Sequence, residues 1–154
     1  MLTLASPDSR IELDVRNYQF ANAARDGWDA QWLQISGRAQ CPRGDWNFVD
    51  PCITTFELVG LASWLRQLPL HSAKRELVFT EPNLRFKHLT ESTGDALLVH
   101  FSHEASPPWA TESQRFQDGY ALQIPFTSIS FDDAAGSVEA LCRKFPERAH
   151  SGGS

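Results

Sequence analysis

The 154-residue chain has three cysteines, an odd number, and no CxxC pair among Cys41, Cys52 and Cys142. This suits reduced, mostly buried thiols better than a disulfide framework or a cysteine-rich zinc site. Its apolar runs all fall well short of the roughly 20 residues a membrane helix needs, and MLTLASPDSR has neither the basic start nor the long apolar core of a signal peptide. The expected location is therefore the cytoplasm, with no membrane partner. Positive charge is scarce too: 14 Lys and Arg stand against 19 Asp and Glu, for a net charge of −5. That balance argues against nucleic acid as a direct partner and suits a basic protein partner. Catalytic signatures are also missing. No GxSxG, HExxH, GxxxxGK[ST] or GxGxxG occurs, so nucleophile-elbow, zincin, P-loop and dinucleotide readings lose their usual support. His100 and His103 have a spacing that would share a helical face, but their stretch reads as a strand, where they point to opposite sides. No metal, cofactor or catalytic residue is expected.

What the chain has is the material for one ordinary domain. At this length a fold buries roughly 70% of its unfolded surface, so no staple is required. The hydrophobic fraction of 42% and charged fraction of 21% are those of a globular protein, and five Trp, two Tyr and ten Phe favour a sheet-rich core. The strongest local signal lies between Trp46 and Leu68. Trp46 and Phe48 share one face of an extended segment, and Asp50-Pro51 is expected to stop it, because proline cannot donate to a ladder. Thr54 then has capping-box spacing to Glu57. Leu58, Leu61, Ala62, Leu65 and Leu68 follow at three- and four-residue intervals with Trp64 at the stripe's edge, and Pro69 ends the helix.

In chain order, Ile11, Leu13 and Val15 alternate with polar residues, and the phase shift to Tyr18 and Phe20 predicts a bulge near Arg16-Asn17. Ala21 to Asp29 reads as a loop carrying Trp28 at or near the surface. Leu33 and Ile35 resume a strand, and Pro42-Arg43-Gly44-Asp45 predicts a hairpin between strands near 32–41 and 45–49. After the helix, Leu77-Phe79 and Leu84-Phe86 read as two halves of one bent edge strand interrupted at Pro82. Ser92 to Asp95 is a turn, Ala96 to Ser102 is apolar enough for a sheet's centre, and Ser106 to Gly119 is the longest loop. Tyr120, Leu122, Ile124 and Phe126 alternate through another strand. Ser130 and Asp133 have capping spacing for a last helix lined by Val138, Leu141, Cys142 and Phe145. No internal repeat is found. The expectation is an α+β domain over residues 1–146, with largely antiparallel sheet of about six to eight strands and two amphipathic helices near 54–68 and 131–145. Residues 147–154 are expected to be a flexible tail.

Scattered carboxylates have local explanations: Glu57 as a cap partner, Asp50 as a turn residue, Glu81-Pro82-Asn83 as a bend. Trp28 and Trp109 stand out because both fall in expected loops, where an exposed tryptophan can anchor a partner and a folded-back one covers the core. Asp26, Asp29 and Asp8 are candidates for a negative patch beside Trp28. Asp26, Trp28, Asp29 and Trp109 are therefore the candidate partner-binding residues. Two other functions remain open: a small-ligand-binding or structural protein, with a cavity lined by Trp46, Phe48 and Trp64, and an enzyme, with convergent buried carboxylates or histidines.

The run GRAQCPRGDWNFVDPCITTFEL, then FTEPNLRF, SPPW and a final helix ending KFP, with the opening IELDVRNYQF and the DGWDAQWL segment, resembles the WapI-type immunity protein family. The resemblance spans about Ile11 to Pro146. It implies a small cytoplasmic, non-enzymatic protein that binds and neutralises the C-terminal domain of a bacterial polymorphic or contact-dependent toxin, often a nuclease, with no catalytic residue carried over.

Overall fold

The computed structural model describes residues 1–21 and 27–148. Two antiparallel sheets of four strands each, with two main helices, make an α+β fold. The first sheet is β1 (Leu2–Ala5), β2 (Arg10–Tyr18), β3 (Trp32–Cys41) and β4 (Gly44–Thr54), in that spatial order, followed by α1 (Thr55–Gln67). The second is β5 (Glu76–Val78), β6 (Leu84–Glu91), β7 (Gly94–Phe101) and β8 (Tyr120–Pro125), again in chain order, followed by α2 (Phe131–Lys144). Each half is thus an up-and-down meander ending in a helix, a repeat of topology with no counterpart in the sequence.

Local signals explain most of these elements. The β3–β4 hairpin turns at Pro42-Arg43, with Cys41 paired to Gly44. The predicted bulge lies in β2, where the register with β3 shifts between Val15 and Asn17. Thr54 caps α1: its side chain accepts from the Glu57 N–H while Glu57 accepts from the Thr54 N–H. Ser130 does the first half of the same for α2 through the Asp133 N–H.

The N-terminus adds strand β1, paired with β2 from Leu2↔Leu13 to Ala5↔Arg10; two alternating leucines are too short a pattern to read alone. Three expectations need correction. Asp50-Pro51 does not stop β4, which runs on to Thr54. Ile35 pairs with Asp50 and Leu33 with Ile53, so Pro51 sits in a bulge of an edge strand, where a missing N–H is tolerated. Leu77 and Phe86 are not on one bent strand: the chain reverses at 79–83, and they pair across the β5–β6 hairpin. Trp64 is fully in the core instead of at the edge of the stripe, its Nε1 donating to Lys74 O at 2.7 Å.

The buried residues of both halves form one hydrophobic cluster. Trp46 joins the sheets: its ring meets Phe101, Trp109 and Tyr120 edge-on at 5.2–5.8 Å, and its Nε1 donates to Ala105 O at 2.9 Å. Such ring pairs contribute about 0.5–1.5 kcal/mol each beyond the area they bury. The helices lie against each other, with Arg66 of α1 bridging Asp132 (3.0 Å) and Glu139 (2.6 Å) of α2.

Candidate partner-binding surface

Gly27 adopts φ +69°, a left-handed conformation that suits glycine, and opens a 3₁₀ turn over Gly27–Gln31 just before β3. The turn is held by Gln31, whose side chain is buried. Its Oε1 accepts from Thr55 Oγ1 (2.7 Å) at the start of α1 and from the Arg148 N–H (3.1 Å), while its Nε2 donates to Arg148 O (2.9 Å). One amide therefore ties together three segments distant in sequence. The segment after α2 is held further by Tyr18, whose hydroxyl donates to Pro146 O (2.6 Å), and by the Arg148 guanidinium, which lies 3.6 Å over the Tyr18 ring and donates to Phe20 O. Arg148 falls within the span expected to be a flexible tail; residues 149–154 lie outside the described residues.

This frame presents apolar rings to solvent. Trp28, 49% exposed, stacks on Phe56 of α1, 41% exposed, with centroids 5.7 Å apart and planes 26° off parallel. Val59, 58% exposed, lies one turn further along α1. Beside Phe56 and Val59 runs a groove of about 340 Å³ lined also by Thr55, Cys142, Phe145, Pro146 and Glu147. Stacking on a helix side chain pre-orders the indole, so less side-chain entropy is lost when a partner covers it. Asp29 and Glu147 are exposed acids at this surface.

The sequence candidates separate. Trp28 and Asp29 share the 3₁₀ turn. Asp26 lies outside the described residues. Trp109 is partly buried: it meets Trp46 and Tyr120 edge-on at 5.4 and 5.9 Å and covers Gly44, where an added Cβ would come 2.9 Å from its ring. Trp109 and Trp28 are thus at opposite ends of β4, which at about 3.3 Å per residue puts roughly 30 Å between them. They do not form one compact anchor. Asp8 is also at the far end, lining a surface cavity with Pro42, Arg43 and Tyr120, and forms no common patch with Asp29. Phe56, Val59 and Gln31 were not singled out from sequence. The off-stripe positions of Phe56 and Val59 on α1 were an available signal; Gln31 had none.

Trp46, Phe48 and Trp64, the expected walls of a ligand cavity, are buried with their rings packed into the core. Two polar groupings occur elsewhere. Asn83 is buried and donates through Nδ2 to Asp50 Oδ2 (3.0 Å) and Glu104 Oε2 (3.1 Å). Burial, then the charges of Glu104 and Glu81, push the Asp50 carboxyl above its ordinary range. His100 lines a cavity of about 240 Å³ with Arg85, His103 and Phe116, and burial followed by the Arg85 guanidinium holds it below the usual histidine range. Both groupings have structural duties: the first joins β4 to the start of β6, and in the second His100 Nδ1 lies 3.2 Å from Asp118 O at the end of the long loop. Cys41, Cys52 and Cys142 are free thiols, with Cys52 buried and its thiol pushed far up by burial. No helix among the described residues is long and apolar enough to cross a membrane.

The class this defines is an α+β domain whose distinctive surface is an ordered apolar patch with charged neighbours of both signs, Asp29 and Glu147 beside Lys144. The chain belongs to the immunity protein WapI-like family, whose model matches residues 1–146. No curated protein matches the chain.

Proposed function

We propose that this protein is a non-enzymatic cytoplasmic immunity protein that neutralises a basic bacterial toxin domain by covering its active surface with the Trp28 patch. Membership of an immunity protein family supports a toxin-neutralising role. The observation that carries the location is the stacked, half-exposed Trp28–Phe56 pair beside the groove at Val59 and Phe145. Aromatic rings that are already ordered and become desolvated on binding are what slow dissociation requires. The net charge of −5 adds steering towards a basic partner, of which a nuclease is the class that fits best. Asp26 stays in the proposal as the sequence neighbour of Gly27. Trp109 has the place of a core-covering residue, so its loss is expected to weaken folding before it weakens binding.

Co-expression tests the reading. A toxin C-terminal domain encoded beside this gene should arrest growth when expressed alone and be tolerated when this protein is co-expressed, with the two recovered as a complex. Continued toxicity despite abundant folded protein would remove the proposal.

A further inference from the structure

We infer that His71, His88 and Asp95 form a binding site for one divalent transition-metal ion of the zinc class, at the end of α1 opposite to the Trp28 patch. The three residues come from separate places: His71 follows the short 3₁₀ turn Leu68–Leu70, His88 is in β6 and Asp95 is at the start of β7. One donor atom from each lies within 4.8 Å of the other two. Asp95 Oδ2 is 3.2 Å from His88 Nε2 and 3.9 Å from His71 Nδ1. Bonds of about 2.0–2.2 Å in a tetrahedral shell place neighbouring ligand atoms about 3.3–3.5 Å apart. The three donors need to shift by only about an ångström to meet one ion, and His71, 67% exposed, is free to supply that movement.

The state of His88 points to an ion more than to a simple pair. Its side chain is only 7% exposed, and its buried Nε2 makes no hydrogen bond although Asp95 Oδ2 is 3.2 Å away. A close approach without hydrogen-bond alignment is the relation between two ligands of one metal. The imidazole is also held in place, stacked on Phe126 at 4.8 Å and 22°, with Phe126 in turn against Phe131 at 4.9 Å. His71 adopts φ 56°, ψ 23° as it closes the 3₁₀ turn, a left-handed position where glycine or asparagine is the easier choice. Two imidazoles with one carboxylate suit zinc, cobalt or nickel and disfavour calcium and magnesium, which take oxygen shells. Three protein ligands leave a fourth position open to solvent at the exposed His71 side. Bound metal would tie the connection after α1 to the β6–β7 hairpin, independently of the toxin-binding proposal.

The test is calorimetric titration of chelator-treated protein with zinc chloride, alongside His71→Asn and Asp95→Asn. His71→Asn is chosen because asparagine accepts the left-handed backbone while removing the imidazole. The wild type should bind one zinc per chain and melt at a higher temperature with zinc than without. Cobalt(II) should give the visible absorption of a four-coordinate site. Each variant should lose at least roughly tenfold in affinity, the least that disturbing such a site costs, while His71→Asn without metal melts where the metal-free wild type does. Absence of binding tighter than about 1 mM, or unchanged binding in both variants, would overturn the assignment, the latter tracing the zinc to other histidines of the five in the chain.

Discussion

Replacing Gln31 by Met keeps the side chain's length and nearly its volume while removing all three of its hydrogen bonds. Thr55 Oγ1 is left buried without its acceptor, and the Arg148 N–H and C=O lose partners in a half-buried setting. A buried polar group left unpaired costs about 1–3 kcal/mol, and partly hydrated ones cost less, so the total should be about 2–3 kcal/mol. For a domain of this size that corresponds to a fall of roughly 5–10 °C in Tm. Urea unfolding followed by circular dichroism gives the stability change. Because Gln31 seats the turn that carries Trp28, the same variant should also expose Trp28 further to a soluble quencher of tryptophan fluorescence. A loss below about 0.5 kcal/mol, the range of an ordinary surface substitution, would refute the reasoning that one amide organises this surface.

Gly37→Ala should destabilise the protein by at least about 1–3 kcal/mol, since a Cβ there would lie 2.1 Å from Phe48 Cε1 and 2.2 Å from its Cζ; an unchanged denaturation midpoint would mean that the ring moves freely. Asp50→Asn is expected to raise Tm near pH 7 and to have little effect near pH 3. The Asp50 carboxyl titrates higher in the fold than its ordinary value of 3.8, so its contribution is present below that value and is lost as pH rises through the folded one. Differential scanning fluorimetry at both pH values checks the sign, and a destabilised variant at pH 7 would contradict it.

Elements set by local chemistry were legible in the sequence. The Thr54–Glu57 box, the leucine spacing of α1, the phase slip at Arg16-Asn17 and the Pro42-Arg43 turn all act within a few residues, and all appear in the fold. Misreadings arose where tertiary context overrides a local rule. Pro51 is compatible with β4 because the strand is at a sheet edge and bulges there, which no local pattern reveals. Leu77 and Leu84 have the same alternation whether the chain bends or reverses, and the Leu77↔Phe86 pairing decides for reversal. The surface was partly legible: a tryptophan beside glycine and aspartate marked the turn. Its partner Phe56 and its organiser Gln31 depend on contacts between residues 28 apart and between residues 24 and 117 apart. The His71, His88 and Asp95 set was hidden for the same reason, since no metal-ligand spacing joins a 3₁₀ turn to two strands.

The central claim is that the Trp28 patch is the toxin-binding surface. A titration of the toxin domain with wild-type protein and with Trp28→Ala tests it most directly. Trp28 is 49% exposed, so a partner can cover about 100 Å² of it, which at about 25 cal/mol per Å² is worth roughly 2–3 kcal/mol. The account predicts that Trp28→Ala weakens Kd by roughly 30- to 100-fold, while loss of the Phe56 stack and of the buried half of the ring lowers stability by only about 1–3 kcal/mol and leaves the protein folded. Equal affinity of the variant and the wild type for the toxin domain would contradict the claim.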